Sequence, residues 1–242
     1  MVTRNFSLLL PPSEGKADGG LEGQPWSAEY GAFGEVLREQ RSQIVSQLRK
    51  VNGGDSALLG VKGVHLERAT LSNKKLKGAP TLPAWQRYTG VVWDHLDLAS
   101  LPATTRASNT RRILIPSGLL GLVRADDLIP DYRLKMGARL APFGSLNKWW
   151  REAITEILQE VTKKNVVIDL LPQEHRAAMN WENIPNALHV DLVSKKGAIV
   201  GGHNAKAAKG LLAKHLLVTK GQDIRSMVSS FKHPDYVAKV SQ

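Results

Sequence analysis

Four side chains suited to proton transfer or nucleophilic attack stand one loop beyond an apolar run: Ser13, Lys16, Ser117 and Glu174. Ser13 and Lys16 lie in Pro11-Pro12-Ser13-Glu14-Gly15-Lys16, directly after Phe6-Ser7-Leu8-Leu9-Leu10. Ser117 follows Arg112-Ile113-Leu114-Ile115-Pro116, and Glu174, with His175 beside it, follows Val166-Val167-Ile168-Asp169-Leu170-Leu171. In an open α/β sheet, ligands collect in the crevice outside the carboxyl ends of the strands, so these groups can converge there. A carboxylate such as Glu174 or an amine such as Lys16 suits acid–base work, and Ser13 or Ser117 can orient a substrate or attack it. Arg133 and Lys135 project from one side of an extended segment, and with Lys206 and Lys209 they can hold an anionic, nucleotide- or phosphate-like ligand. The first loop is not a P-loop, because the glycine spacing differs and Ala17 follows the lysine.

A second chemistry is written at residues 56–70. Two short apolar half-patterns flank Gly60-Val61-Lys62-Gly63, and two glycines three apart suit a tight turn between short helices. The pattern reads as a helix-hairpin-helix, in which exposed backbone N–H groups at the turn hold a phosphate oxygen without reading a base. Gly60, Lys62 and Gly63 would form that contact, and Arg68, Lys74, Lys75 and Lys77 would widen it. The same pattern also suits an ordinary compact corner followed by a solvated loop.

The charge balance favours an anionic partner. Lys and Arg number 33 against 22 Asp and Glu, a net +11 in 242 residues, and the cations cluster at 74–77, 111–112, 163–164 and 195–196. Sequence-independent contact with DNA is the partner expected, with a small anionic ligand as a second possibility. No cysteine is present, which excludes disulfides, thiolate metal sites and thiol redox catalysis. Asp94, His95 and Asp97 are too close together on one helix to converge on a metal, and no metal or cofactor is expected. The apolar run ended by Pro11-Pro12 is too short for a signal segment or a membrane span, so no membrane partner and a cytoplasmic location are expected.

The elements that must position these groups are read from periodicity. The three apolar runs are expected as buried strands, and His189–Ser194 as a half-buried strand with a hairpin partner at Ala198–Val200. Ser27 is expected to cap a helix with Phe33, Leu37, Ile44 and Leu48 on one face, while Arg38, Arg41 and Arg49 point elsewhere. Ser145 opens another amphipathic helix, Ala205, Ala208, Leu212 and Leu216 mark a third, and Gln222–Phe231 a last short one. The fold class expected is mixed α/β (α+β). It forms a single compact domain over 1–242, with a central mixed sheet flanked by helices and the helix-hairpin-helix element.

The densest run of special residues carries a resemblance. Ser117-Gly118-Leu119-Leu120-Gly121-Leu122-Val123-Arg124, Asp127, and Tyr132-Arg133-Leu134-Lys135-Met136-Gly137 with Arg139-Leu140 resemble the YaaA family of peroxide-stress proteins. Pro12 to Lys16, Tyr88-Thr89-Gly90, Glu174, Ala205-Lys206 and Lys209-Gly210 extend the likeness along almost the whole chain. Ala125 stands where proline is usual, Pro172-Gln173-Glu174-His175 replaces Ser-x-Glu-Tyr, and Pro-Ser-Glu-Gly-Lys replaces Ser-Pro-Ala-Lys-Thr, which marks a diverged branch. The resemblance implies a mixed α/β fold with a helix-hairpin-helix and a positively charged cleft. It also implies a DNA-binding protein that limits oxidative damage when peroxide meets intracellular iron. Three functional readings stand: a DNA-binding protein of the peroxide response, an enzyme of unknown reaction in the strand-end crevice, and a scaffold or partner-binding protein whose charge is incidental.

Overall fold

A computed structural model describes residues 5–195, 202–219 and 223–241. Its centre is made by the three apolar runs. Phe6–Leu9, Ile113–Ser117 and Val166–Asp169 are strands in which every residue is buried, as leucine and β-branched side chains on both faces require of a sheet covered on both sides. Phe6–Leu9 lies parallel to both neighbours, with Phe6 opposite Val166, Leu9 opposite Asp169 and Leu8 opposite Ile113. Ala187–Ser194 joins beside Val166–Asp169, also parallel. Antiparallel strands close the two edges: Gly121–Arg124 next to Ile113–Ser117, and Tyr236–Ser241 next to Ala187–Ser194. The result is a six-stranded mixed sheet with helices packed around it and smaller sheets in the connections, the α/β class read from the sequence. The hairpin partner expected at Ala198–Val200 lies outside the described residues.

Two local details differ from the periodic reading. The helix Gly34–Lys50 buries Leu37, Ile44 and Leu48, and it buries Arg41 with them. The Arg41 guanidinium donates to the carbonyls of Leu120 (2.9 Å), Leu122 (3.0 Å), Tyr30 (2.8 Å) and Ala28 (3.1 Å), so a charged side chain satisfies edge backbone that has no strand partner. Ser27 does not cap this helix; its hydroxyl bonds Glu29 at 2.6 Å, and the chain first turns through Gly31 at φ +89°.

Helix Val91–Leu96 meets helix His203–Val218 so closely that a Cβ at Gly210 would stand 2.3 Å from the Val92 carbonyl oxygen. Only glycine allows that approach. Lys214 then pairs with Asp97 at 2.9 Å. Among the described residues, no helix is long and apolar enough to cross a membrane.

Candidate functional site

The parallel strands Phe6–Leu9 and Val166–Asp169 point their carboxyl ends the same way, and the loops after them form two walls of one cleft. Pro12, Ser13, Glu14 and Lys16 line it from the first loop, Glu174 and His175 from the second, and Tyr132–Met136 from between, around about 430 Å³ including the open mouth. Lys16, Glu174 and Arg133, distant in sequence, therefore share one crevice.

Lys16 reaches the cleft because Gly15–Lys16 bridges antiparallel to Tyr88–Thr89, with the Ser13 hydroxyl donating to the Thr89 carbonyl. The Lys16 ammonium donates to the Ser13 carbonyl at 3.1 Å and lies 4.2 Å from the centre of the Tyr132 ring and 5.5 Å from that of Tyr88. Burial lowers the Lys16 amine to about 7, outweighing the opposing pull of Asp131. Beneath it, the Tyr132 hydroxyl lies 2.7 Å from Ser117 Oγ and 2.8 Å from the Tyr88 hydroxyl, and the Leu120 N–H donates to Ser117 Oγ at 3.1 Å. Ser117 is fully buried and locked in this chain, which suits an orienting group rather than a nucleophile. Burial raises the Tyr132 phenol to about 12 and the Tyr88 phenol well above its ordinary value, so both keep their protons at neutral pH.

Arg133 and Lys135 do project together, as alternation in an extended segment requires, while Tyr132, Leu134 and Met136 point into the core. Both cations converge on Glu14: Arg133 at 2.5 Å and Lys135 at 2.8 Å. Burial pushes the Glu14 carboxyl up, but the two cations outweigh it and hold the group below its ordinary value. Glu14 thus occupies the place where an anionic ligand's oxygens would meet Arg133 and Lys135.

The second wall differs. Glu174 accepts a hydrogen bond from the Gly137 N–H at 3.1 Å, and a Cβ at Gly137 would stand 2.8 Å from that carboxylate oxygen. Burial lowers the His175 imidazole below its ordinary pKa, and its Nδ1 is buried with no hydrogen-bond partner. Behind them, buried Asp169 accepts from Arg176 at 2.6 Å and lies 2.8 Å from His189 Nδ1, and Arg176 also pairs with Asp191 at 3.0 Å. Lys209 docks on this cluster by donating to the Leu170 carbonyl, and burial lowers its amine to about 8. Lys209 therefore braces the back of the cleft, while Lys206, one turn earlier on the same helix, is exposed.

The 56–70 stretch stands at the cleft's rim. Asp55 caps a single helical turn, Ser56–Leu59, by accepting from the Leu58 N–H at 2.8 Å; Gly60 (φ +64°) and Gly63 (φ +55°) then lead into helix Val64–Lys74. A Cβ at Gly60 would lie 3.5 Å from Lys135 Nζ, and the Leu59 carbonyl accepts from Arg133 Nε at 3.0 Å. Lys62, Lys74, Lys75 and Lys77 are exposed. Arg68 is placed differently: it pairs with Asp18 at 2.7 Å and Asp131 at 3.0 Å and donates to the Lys16 carbonyl at 3.0 Å, so it ties the helix to the first loop.

Sequence reasoning assigned no role to Tyr88, Tyr132 or Asn73. Period-2 alternation beside Arg133 was the available signal for Tyr132, whose burial follows from its neighbours' exposure. Tyr88 was marked by the resemblance at Tyr88-Thr89-Gly90, whereas Asn73 had no signal, since its partners Gly53 and Arg133 are remote in the chain.

Fold and site define a mixed α/β protein with a charged cleft at the carboxyl ends of its parallel strands and a short helical pair on the rim. The chain belongs to the family of the peroxide stress protein YaaA, whose model matches residues 6–241. A UPF0246 protein of Streptomyces coelicolor is 35% identical over 219 residues, 88% of this chain and 83% of its own length. A UPF0246 protein of Corynebacterium glutamicum is 32% identical over 220 residues, covering 88% and 85%, and one from Idiomarina loihiensis is 27% identical over 205 residues, covering 80% and 76%.

Proposed function

We propose that this protein acts in the cytoplasmic response to peroxide by binding DNA through its backbone phosphates, with the Gly60–Gly63 turn as the primary grip and the cleft beside it as a second contact. The observation that carries the reading is the hydrogen bond from Arg133 Nε to the Leu59 carbonyl at 3.0 Å, which joins the residue before the turn to the cationic side of the cleft. The exposed Lys62, Lys74, Lys75 and Lys77 extend the cationic surface along the helix and the loop after it. Binding of this kind is indifferent to sequence and weakens steeply with salt, because each neutralised phosphate releases counterions.

Titration of duplex DNA at several salt concentrations tests it, comparing wild type with a Lys62→Glu, Lys75→Glu double variant. The expected result is weaker binding whose salt slope falls by about 1 for each lost phosphate contact. An unchanged slope overturns the assignment to the turn, and absence of binding at low salt overturns the DNA reading.

A second reading, an enzyme acting on an anionic substrate in the cleft, is favoured by one observation. Lys16 sits in that cleft as an amine of lowered basicity above two hydrogen-bonded tyrosines. Turnover of a phosphorylated small molecule that is lost in Lys16→Arg and is indifferent to DNA would establish it.

A further inference from the structure

Lys16 has the attributes of an amine nucleophile. It lines an open cleft, and its hydrogen bond to the Ser13 carbonyl engages one N–H and leaves the nitrogen lone pair free when the group is neutral. The aromatic faces of Tyr132 and Tyr88 lie on one side of it. The two phenols are tied to each other and to Ser117, so they hold the amine in place without taking its proton. With its basicity lowered to about 7, a large fraction of the amine is uncharged at neutral pH. Arg133 and Lys135 stand on the same cleft, bridged by Glu14, and a phosphate that displaces the Glu14 carboxylate would meet both cations. A neutral amine beside phosphate-binding cations suits attack on a carbonyl carried by a phosphorylated sugar.

Resting on the DNA-binding reading, we propose that Lys16 forms a Schiff base with the ring-opened deoxyribose aldehyde of an abasic site in DNA. The amine nitrogen bonds to C1′ and the carbonyl oxygen takes up a proton; the carbinolamine then expels that oxygen as water, with one further proton from solvent, leaving a protonated imine. Glu174, which lines the same cleft, takes the proton from C2′. The electron pair of that C–H bond forms the C2′–C3′ double bond, and the bond from C3′ to its phosphate oxygen breaks, so the 3′ phosphate leaves with its electron pair. Water then hydrolyses the imine and regenerates Lys16. No oxidant, reductant or metal is consumed.

The test is incubation of the full chain with a duplex carrying one abasic site, in the presence of sodium borohydride, followed by denaturing electrophoresis and peptide mapping. The expected result is a covalent protein–DNA adduct mapped to Lys16, lost at least 100-fold in Lys16→Arg while salt-sensitive binding to intact duplex persists. Glu174→Gln is expected to keep the adduct and, in a parallel incubation without borohydride, to lose strand scission at least tenfold; retained scission overturns the role given to Glu174. The wild-type peptide map stands by itself should a variant fail to fold. Duplex binding without an adduct, or an adduct at another amine, overturns the inference and leaves the DNA reading intact. Borohydride trapping of deoxyribose 5-phosphate on Lys16 by a protein that binds no duplex overturns the DNA reading and the abasic-site assignment with it.

Discussion

The side-chain amide of Asn73 is clamped to the backbone of Arg133: it accepts from the Arg133 N–H at 3.0 Å and donates to the Arg133 carbonyl at 2.9 Å. Asn73 is fully buried near the end of helix Val64–Lys74, and its amide also donates to the Gly53 carbonyl at 2.9 Å. One side chain thereby joins the helical pair on the rim to the strand-like wall of the cleft. Asn73→Ala leaves the half-buried Arg133 N–H and carbonyl and the buried Gly53 carbonyl without this partner, a loss of about 1–3 kcal/mol by urea unfolding. Asn73→Leu, similar in size, should lose about as much, because the missing partners rather than the missing volume set the cost.

Glu14 competes with any anion that enters the cleft, since it already bridges Arg133 and Lys135. Glu14→Gln removes the charge and keeps the shape. Duplex binding at low salt should tighten by about three- to tenfold, and the salt slope should steepen by about 1 as a freed cation takes up a phosphate. Filter binding across a salt series reads both quantities.

The protonation of Lys16 can be followed directly. Reductive methylation with isotope-labelled formaldehyde, read by mass spectrometry, should show Lys16 reacting with a midpoint near pH 7, protonated and slow below it. Exposed lysines of ordinary basicity should respond only at much higher pH. The unfolded chain holds this proton up to about 10.5, whereas the folded protein releases it at about 7. Between those limits the unfolded state binds more protons, so the group's contribution favours the folded state increasingly as pH rises. Lys16→Met removes that dependence, and its unfolding free energy should vary less between pH 7 and pH 10 than that of wild type.

Arg41 offers a prediction about stability alone. Its guanidinium serves four carbonyls with no carboxylate in hydrogen-bond contact, and burial lowers its pKa to about 10. Arg41→Met should destabilise by about 3 kcal/mol or more, since several carbonyls lose their donors in a dry site. Arg41→Lys should rescue little, because one ammonium cannot reproduce the fork of the guanidinium. Thermal unfolding monitored by circular dichroism distinguishes the three proteins.

The three central strands were legible because an apolar run ended by proline or a polar residue, such as Phe6–Leu10 or Val166–Leu171, has few stable places other than a covered sheet. The convergence of Lys16 and Glu174 was legible through the same strands, whose carboxyl ends share a direction once they are parallel. What no local pattern records is how the charges are used. Arg133 and Glu14 meet across 119 positions and Arg68 and Asp131 across 63, so residues that read as free cations prove to be internally paired. Arg41 misled for a related reason: helical periodicity marks it as polar, but the carbonyls that draw it inward belong to chain elsewhere.

The order of strands bears on how the protein is made. Phe6–Leu9 sits at the middle of the sheet, and the strands on either side of it begin at Ile113 and Val166. A ribosome adding roughly 5–20 residues per second must work for about 5–20 s before the first of these partners exists, and longer before the second. During that interval a leucine-rich segment with unpaired backbone on both edges is in the cell without its sheet, and such a segment is a target for chaperones and for association between nascent chains. Expression of this protein should therefore depend more on the speed of translation and on chaperone supply than the stability of its finished form would suggest.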